Sequence, residues 1–248
     1  MSNLHISIKA EPVFHLGKIP ITNSLICTWL LMAVFILVAN QYHQQKKKAQ
    51  PTKLVLVIDM ILEGLLGFFE NVAGKKARRF FPLLATFFLF IIFGNWLGLL
   101  PGMGTIGLNL GERGLEHFVP FFRGPTADLN TTFALAILSV GATQYFSIKY
   151  LGLKGHIKKY FNIANPIYLF VGFLEIISLF SKILSFSFRL FGNIFAGEVL
   201  LSVIAFLIPV FAGLPFLMLE VFIGFIQALV FTMLSLVFMS VETVSHEH

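Results

Sequence analysis

In the stretch Ser185-Phe186-Ser187-Phe188-Arg189-Leu190-Phe191-Gly192-Asn193, an arginine stands inside a long apolar run. Arginine stays charged at any attainable pH, and holding that charge at bilayer depth costs from about 3 to over 10 kcal/mol. Such a residue needs a partner, and its position predicts an ion pathway, a counter-ion or a sensor. A snorkelling arginine at a helix end is the alternative, but the roughly twenty mostly apolar residues on either side of Arg189 argue against it.

Composition places the whole chain in a membrane. Hydrophobic residues make up 57% of its 248 residues and charged residues only 12%, with 30 Phe, a balance that a water-soluble domain could not cover with polar surface. The single cysteine, Cys27, excludes an intramolecular disulfide and a cysteine metal cluster. The first 24 residues lack the basic start of a removable signal peptide, so we expect the first apolar run to remain as an anchor.

Hydropathy divides the chain into six apolar segments, and a membrane-spanning helix needs about 20 apolar residues. We predict one all-α polytopic membrane domain over residues 1–248, with about five membrane helices and one interfacial amphipathic helix. The fifth segment is about 60 Å long as a helix, twice the bilayer thickness, so it is a hairpin or one steeply tilted helix. The predicted parts are an outer N-terminal segment (1–24), a first membrane helix (25–42), an interfacial helix (54–72), a helix pair with an outer loop (81–149) and a tilted helical hairpin that carries the ion path (166–241).

The second segment is predicted to be interfacial, because it carries three carboxylates on one helical stripe. Asp59, Glu63 and Glu70 are four and seven residues apart, a spacing that repeats on one face. That pattern suits a helix at the membrane interface or against basic neighbours.

Basic residues set the orientation. Lysines and arginines crowd the connections between the first and third segments and after the fourth, whereas the loop 101–127 holds only Arg113 and Arg123, balanced by Glu112 and Glu116. Positively charged loops stay in the cytoplasm, so we expect the N-terminus outside and the C-terminus in the cytoplasm. The net charge of +6 is thus mainly a topology signal that also suits an anionic lipid bilayer, and it gives no reason to expect nucleic acid.

Glycines in the third segment predict close packing. Gly94, Gly98 and Gly102 repeat every four residues, which lets two helix backbones approach closely in lipid. Asn95, beside the first glycine, is expected to serve this packing, with a direct role in an ion path as the weaker alternative.

Polar residues of the fifth segment form one continuous seam, because they step by three and four. We expect this seam to face something other than lipid. Glu198 lies half a turn away from Arg189 and belongs to a different polar environment. If the last two segments pair antiparallel, Gln227 can lie near Arg189, and Glu220 near Glu198 or Asn193. The seam residues are Ser178, Ser181, Lys182, Ser185, Arg189, Gly192, Asn193 and Ala196.

The run from Phe188 to Glu198, FRLFGNIFAGE, closely resembles the signature of subunit a, the stator subunit of the membrane sector of rotary F-type ATP synthases. The stretches 95–101 and 125–132 and the pair Gln227-Ala228 are similar to that family too. The resemblance implies two offset proton half-channels against a rotating c-ring of proteolipid subunits, and it implies that the last two helices are long and steeply tilted.

By position, the resemblance makes Arg189 the arginine that faces the ring, forces ring carboxyls to ionise and separates the half-channels. Asn193, Glu198, Glu220 and Gln227 match residues along the outer proton path, and Asp128 and Asn130 match residues near its mouth. Some family members carry His at the position of Glu220, so either Glu198 or Glu220 relays the proton. Lys182 matches a basic residue of the family, for cytoplasmic-end electrostatics or as a solvated lysine.

The resemblance also implies the partners: the c-ring, the peripheral-stalk b subunits and, indirectly, the F1 sector, in a cell inner membrane. The sequence offers no phosphate-binding glycine loop and no nucleophile triad, so ATP chemistry belongs to other subunits, and we expect no cofactor and no metal. The C-terminal His246-Glu247-His248 is expected to be a solvated tail. The rival hypotheses are a secondary ion-coupled transporter, for which the sequence shows no inverted repeat, and a lipid enzyme, for which His117 and His156 stand alone.

Overall fold

The computed structural model describes residues 10–16, 19–47, 52–100, 103, 107–109, 118–160, 166–207 and 213–243. Gly102, His117, the charged residues 112, 113 and 116 and the tail 246–248 lie outside these ranges.

Helices dominate the described chain. A 3₁₀ turn, Gly74–Lys76, joins the second helix to the third, and another, Pro125–Ala127, precedes the fourth. The six helices are α1 (Asn23–Lys46), α2 (Lys53–Ala73), α3 (Ala77–Gly98), α4 (Leu129–Tyr160), α5 (Pro166–Leu207) and α6 (Gly213–Glu242).

The described residues contain five helical stretches long and apolar enough to cross a membrane, with α2 and α3 counted as one stretch. This confirms the all-α polytopic membrane fold. The fifth apolar segment is one continuous helix of 42 residues rather than a hairpin, and α6 has 30 residues. At 1.5 Å per residue they measure about 63 Å and 45 Å against roughly 30 Å of hydrocarbon, so their tilt across the membrane stays a prediction.

Two small β-hairpins were not predicted. β1 (Pro12–Leu16) pairs antiparallel with β2 (Ile19–Thr22), and β3 (Gly107–Asn109) with β4 (Phe118–Pro120). Both fall in stretches that the sequence analysis left without any element, because runs of three to five residues carry too little alternation to be recognised.

Helix α4 extends beyond the predicted end of the fourth apolar segment. It continues to Tyr160, but the backbone breaks at Gly152, whose φ of 74° lies in the left-handed region that favours glycine. Lys149, Lys154, His156, Lys158 and Lys159 interrupt the apolar pattern, so hydropathy alone ended the segment near Ile148.

Phenylalanines hold α3, α5 and α6 together. Phe87 and Phe186 both pack on Phe231, with ring centroids 5.8 Å and 5.0 Å apart, beside the fully buried Ile91 and Leu190. Such aromatic pairs add about 0.5–1.5 kcal/mol each beyond their buried area. This core fixes which face of α5 points inward.

A second cluster lies where α2, α3 and α6 meet. Phe69, Phe80, Leu84, Leu236 and Met239 are fully buried there. We call this side of the molecule the basic end, because it includes the α2–α3 turn and the last residues of α4 and α6.

The opposite side, which we call the loop end, is organised by the buried turn Pro125–Ala127. The Asn23 amide at the start of α1 donates to the carbonyl of Pro120 at 3.2 Å, so the first helix is tied to this loop. A Cβ on Gly98 would lie 3.3 Å from the Cα of Gly124, and one on Gly94 would lie 3.4 Å from the methyl of Thr126. Gly94 and Gly98, the described glycines of the repeat, therefore admit this loop, and Gly94 also lies near Leu31 of α1.

Carboxylates of the α2 stripe pair with basic residues, which is one of the two surroundings that the sequence predicted for them. Lys46 lies 3.3 Å from Asp59, which also accepts a hydrogen bond from the Tyr42 hydroxyl. Glu70 pairs with Arg78 across the α2–α3 turn. The interfacial placement of α2 remains a prediction.

Candidate functional site

The polar seam of α5 lies on the surface of the chain. Ser181, Ser185, Arg189, Asn193 and Ala196 are exposed. The opposite face of the helix is buried against α4 and α6, because its apolar residues recur at helical spacing toward the core. These five seam residues are thus accessible from outside this chain.

Arg189 is the central charge of the seam. Its guanidinium donates a hydrogen bond to the Ser185 hydroxyl at 3.1 Å. Within the described residues no carboxylate lies within ion-pair distance of it. A permanently charged group in an apolar helix is therefore left with one neutral partner.

Helices α5 and α6 pair antiparallel, as expected. The Asn193 amide nitrogen donates to the Gln227 amide oxygen at 2.6 Å, which places Gln227 one helical turn from Arg189. Gln227 is buried, and its own amide nitrogen finds no hydrogen-bond acceptor among the described residues. An amide with a spare donor can bind water or a passing proton carrier.

One turn further along α5, the carboxyl of Glu220 packs directly against Gly197. A Cβ built on Gly197 would overlap that carboxyl, so the glycine makes room for it. Glu220 is only 4% exposed, and one of its oxygens has no hydrogen-bond partner in the described chain. The expectation that Glu220 lies near Glu198 is confirmed, since the two are close enough to interact through their charges.

Glu198 pairs with Arg123 of the α3–α4 connection, with 3.5 Å between guanidinium nitrogen and carboxylate oxygen. The Arg123 side chain is only 11% exposed. The sequence analysis counted Arg123 only among loop charges and missed this pair. The signal for this pair was the position of Arg123 just before the turn Pro125–Ala127. Because that turn is buried, the residue that flanks it lies inside the protein as well.

Residues Arg189, Asn193 and Gly197 are spaced by four, so they follow one side of α5 at intervals of about 6 Å. The partners of the last two on α6 are Gln227 and Glu220. Together they form a polar line from the Glu198–Arg123 pair at the loop end to Arg189. In such a line the carboxyl groups can take up and release a proton, and the amide groups can hold by hydrogen bonds the water through which it passes.

Asp128 and Asn130 lie at the start of α4, at the loop end. Asp128 is buried, accepts a hydrogen bond from the Ser24 hydroxyl at 2.7 Å, and caps α4 by accepting the Asn130 backbone N–H at 3.1 Å. Asn130 is exposed. The structure thus gives Asp128 a tethering role between α1 and α4, and its predicted place at the mouth of a proton path stays a prediction.

Asn95 serves helix packing. Its amide nitrogen donates to the Gly224 carbonyl at 2.8 Å, and the neighbouring Trp96 indole donates to the Val221 carbonyl at 3.1 Å. Both bonds tie α3 to α6 beside the polar line.

A second polar cluster, at the basic end, joins α4, α5 and α6. Lys159 lies 3.1 Å from Glu175 and 2.5 Å from Glu242, and Lys182 lies 3.4 Å from Glu242. Burial alone would lower the pKa of the Lys159 ammonium, but its hydrogen bonds and attraction to Glu242 and Glu175 outweigh burial and raise this pKa. Lys182 is therefore paired rather than solvated, and the sequence analysis did not single out Glu242.

Comparison with known proteins assigns the chain to a family. The family of the ATP synthase A chain matches residues 24–240. Subunit a of the ATP synthase of Moorella thermoacetica is 34% identical, over 94% of this chain and 96% of that protein. The subunits a of Desulforamulus reducens (32% identical, 99% of this chain and 88% of that protein) and Desulfotalea psychrophila (35%, 89% and 84%) are also similar. These matches do not favour the transporter hypothesis, and the chain belongs to the ATP synthase subunit a family.

Proposed function

We propose that this chain is the stator subunit of the membrane sector of a rotary ATP synthase, where it forms two proton half-channels against a ring of c subunits. Its further partners are the b subunits of the peripheral stalk, the lipid bilayer and, indirectly, the F1 sector. The chain spans a cell inner membrane several times, with its N-terminus and loop end outside and its basic end in the cytoplasm, an orientation that the distribution of lysine and arginine supports.

One observation carries the proposal. Arg189 is exposed on a polar seam, in the middle of a helix of 42 residues, with a serine hydroxyl as its hydrogen-bond partner among the described residues. An arginine at such depth needs an anionic partner, and the exposure of Arg189 supports a partner on another subunit.

The physical role of Arg189 follows from its permanent charge. A carboxyl of the ring that comes within a few Å of the guanidinium is held in its ionised form, because an opposite charge stabilises the anion. The proton must then leave through one half-channel before the ring site passes. Because arginine does not release its own proton, Arg189 blocks a direct leak between the half-channels.

The outer half-channel runs along the polar line. Protons reach it from the loop end, near Asp128 and Asn130, and pass Glu198 and Glu220 toward Gln227 and Asn193. One oxygen of Glu220 and the amide nitrogen of Gln227 have no hydrogen-bond partner among the described residues, which supports this route, since buried polar atoms without protein partners are where water binds.

The test replaces Arg189 in the assembled complex. Proton-driven ATP synthesis by membrane vesicles is measured for Arg189→Ala and Arg189→Lys, with Arg79→Ala as an exposed control at the basic end. We expect both Arg189 variants to assemble in normal amounts and to lose synthesis. Alanine carries no charge, and a lysine can lose its proton when buried. Near-normal synthesis in either Arg189 variant contradicts the proposal.

A further inference from the structure

The cluster at the basic end consists of Lys159, Glu175, Lys182 and Glu242, and we call it the ionic clamp. It contains two cations and two carboxylates. Glu242, the last residue of α6, is buried and accepts from both lysines, with Lys159 at 2.5 Å and Lys182 at 3.4 Å. Lys159 has a second carboxylate partner, Glu175, at 3.1 Å. Among the described residues, the carboxylate partner of Lys182 is Glu242.

Lys182 belongs to the same seam as Arg189. The two residues are seven positions apart, which is two helical turns and about 10 Å along α5, on nearly the same face. The Lys182 side chain is nevertheless only 18% exposed, and its ammonium lies 4.8 Å from the centre of the Phe238 ring. Glu242 and Phe238 both belong to α6, so the ammonium is turned off the seam toward α6.

Removal of Glu242 has an uneven effect on the clamp. Lys159 and Glu175 would still form a neutral pair, because their 3.1 Å contact does not involve Glu242. Lys182 would lose its carboxylate, and its flexible stem would allow the ammonium to swing back onto the seam.

We propose that Glu242 is a positioning residue that holds the charge of Lys182 off the ring-facing seam, so that ring carboxyls meet Arg189 as the only uncompensated cation there. This inference rests on the proposed function. A second free cation about 10 Å from Arg189 would attract passing carboxylates before or after they reach the arginine. At short range and intermediate dielectric constant, two opposite unit charges attract each other strongly. This attraction is enough to slow the release of a ring carboxylate by about tenfold or more.

The experiment compares Glu242→Gln with the double variant Lys182→Gln/Glu242→Gln in the assembled complex. Glu70→Gln is the matched control, because Glu70 also pairs with a cation at the basic end but lies on α2, away from the seam. Proton-driven ATP synthesis in membrane vesicles is measured together with the amount of assembled complex. We expect Glu242→Gln to lower synthesis about tenfold, the double variant to return to within about twofold of the unaltered complex, and the control to be unaffected.

The double variant separates this charge effect from simple support of the helices. Both variants lose the same two contacts of Glu242, so a residue that only holds α4, α5 and α6 together would leave them equally impaired. Equal impairment, or normal synthesis in Glu242→Gln, overturns the inference. The Arg189→Ala variant is measured alongside: if it retains synthesis, the proposed function fails on its own account, whatever Glu242 does.

Discussion

Gly197→Ala should displace the carboxyl of Glu220 and little else. The new methyl would overlap the Glu220 carboxyl, and the overlapped atoms are the far end of a flexible side chain on the neighbouring helix. Backbone movement is not needed, because rotation about the Glu220 side-chain bonds relieves the overlap. The substitution thus tests the position of one carboxyl without removing it.

The expected costs of Gly197→Ala to folding and to function differ widely. Pushing one side chain off its preferred rotamer costs about 0.5–1.5 kcal/mol, a small part of the roughly 5–15 kcal/mol that holds a typical protein folded. A proton relay is far more sensitive, since a misplacement of about 1 Å can cost about 100-fold in rate. We therefore expect normal assembly and a fall of about 10- to 100-fold in proton-driven synthesis.

The assay measures ATP synthesis by membrane vesicles per assembled complex, for Gly197→Ala, Glu220→Gln and the control Gly141→Ala. A Cβ on Gly141 would meet nothing within 4 Å, so this control adds the same methyl in open space. The two site variants should show similar losses and the control none. If Gly197→Ala behaves like Gly141→Ala while Glu220→Gln is impaired, the packing of the carboxyl against Gly197 does not matter for the relay, and the reasoning is wrong.

Asn95→Leu should lower the thermal stability of the purified complex by a few degrees without slowing ATP synthesis, because it removes a buried interhelical hydrogen bond worth about 1 kcal/mol. Lost synthesis at unchanged stability would instead place Asn95 on an ion path. Asp128→Ala should destabilise the complex by about 1–2 kcal/mol, whereas Asp128→Asn should keep most of the stability since asparagine also caps helices. Equal melting temperatures for the two Asp128 variants would refute the capping role.

Hydropathy was sufficient to predict the helices, because each apolar run here is long and the lipid environment demands helix. It placed the start of the long helix at Pro166, where the structure has it. It could not predict that this run is unbroken, since no local residue distinguishes a hairpin from a helix of 42 residues. The tie between Asn23 and the Pro120 carbonyl spans 97 residues of sequence, and no periodicity within one segment can indicate it.

Pairing of polar residues was predictable where two helices run antiparallel. Glu220 and Gln227 share one face of α6, and Asn193 and Gly197 share one face of α5, so antiparallel packing of these two faces brought both pairs together. Arg123 was missed because its partner, Glu198, lies on a different element and loops carry no periodicity. The sequence analysis missed Glu242 for a similar reason, since a carboxylate at the end of a helix looks like a solvated one until the lysines of two other helices are placed around it.

The contrast between Glu220 and Arg189 explains how the site is divided between this chain and a partner. Each is an ionisable group without an oppositely charged partner among the described residues, yet Glu220 is buried and Arg189 is exposed. A carboxyl can become neutral by taking up a proton, so it can stay buried without a charged partner. It can release that proton when water joins it to the other groups of the polar line. A guanidinium has no neutral form in a protein, so the cost of its charge can be offset only by an anion. Because the fold turns Arg189 outward, we propose that this anion comes from a neighbouring subunit and that the arginine meets each new carboxyl that the neighbour brings.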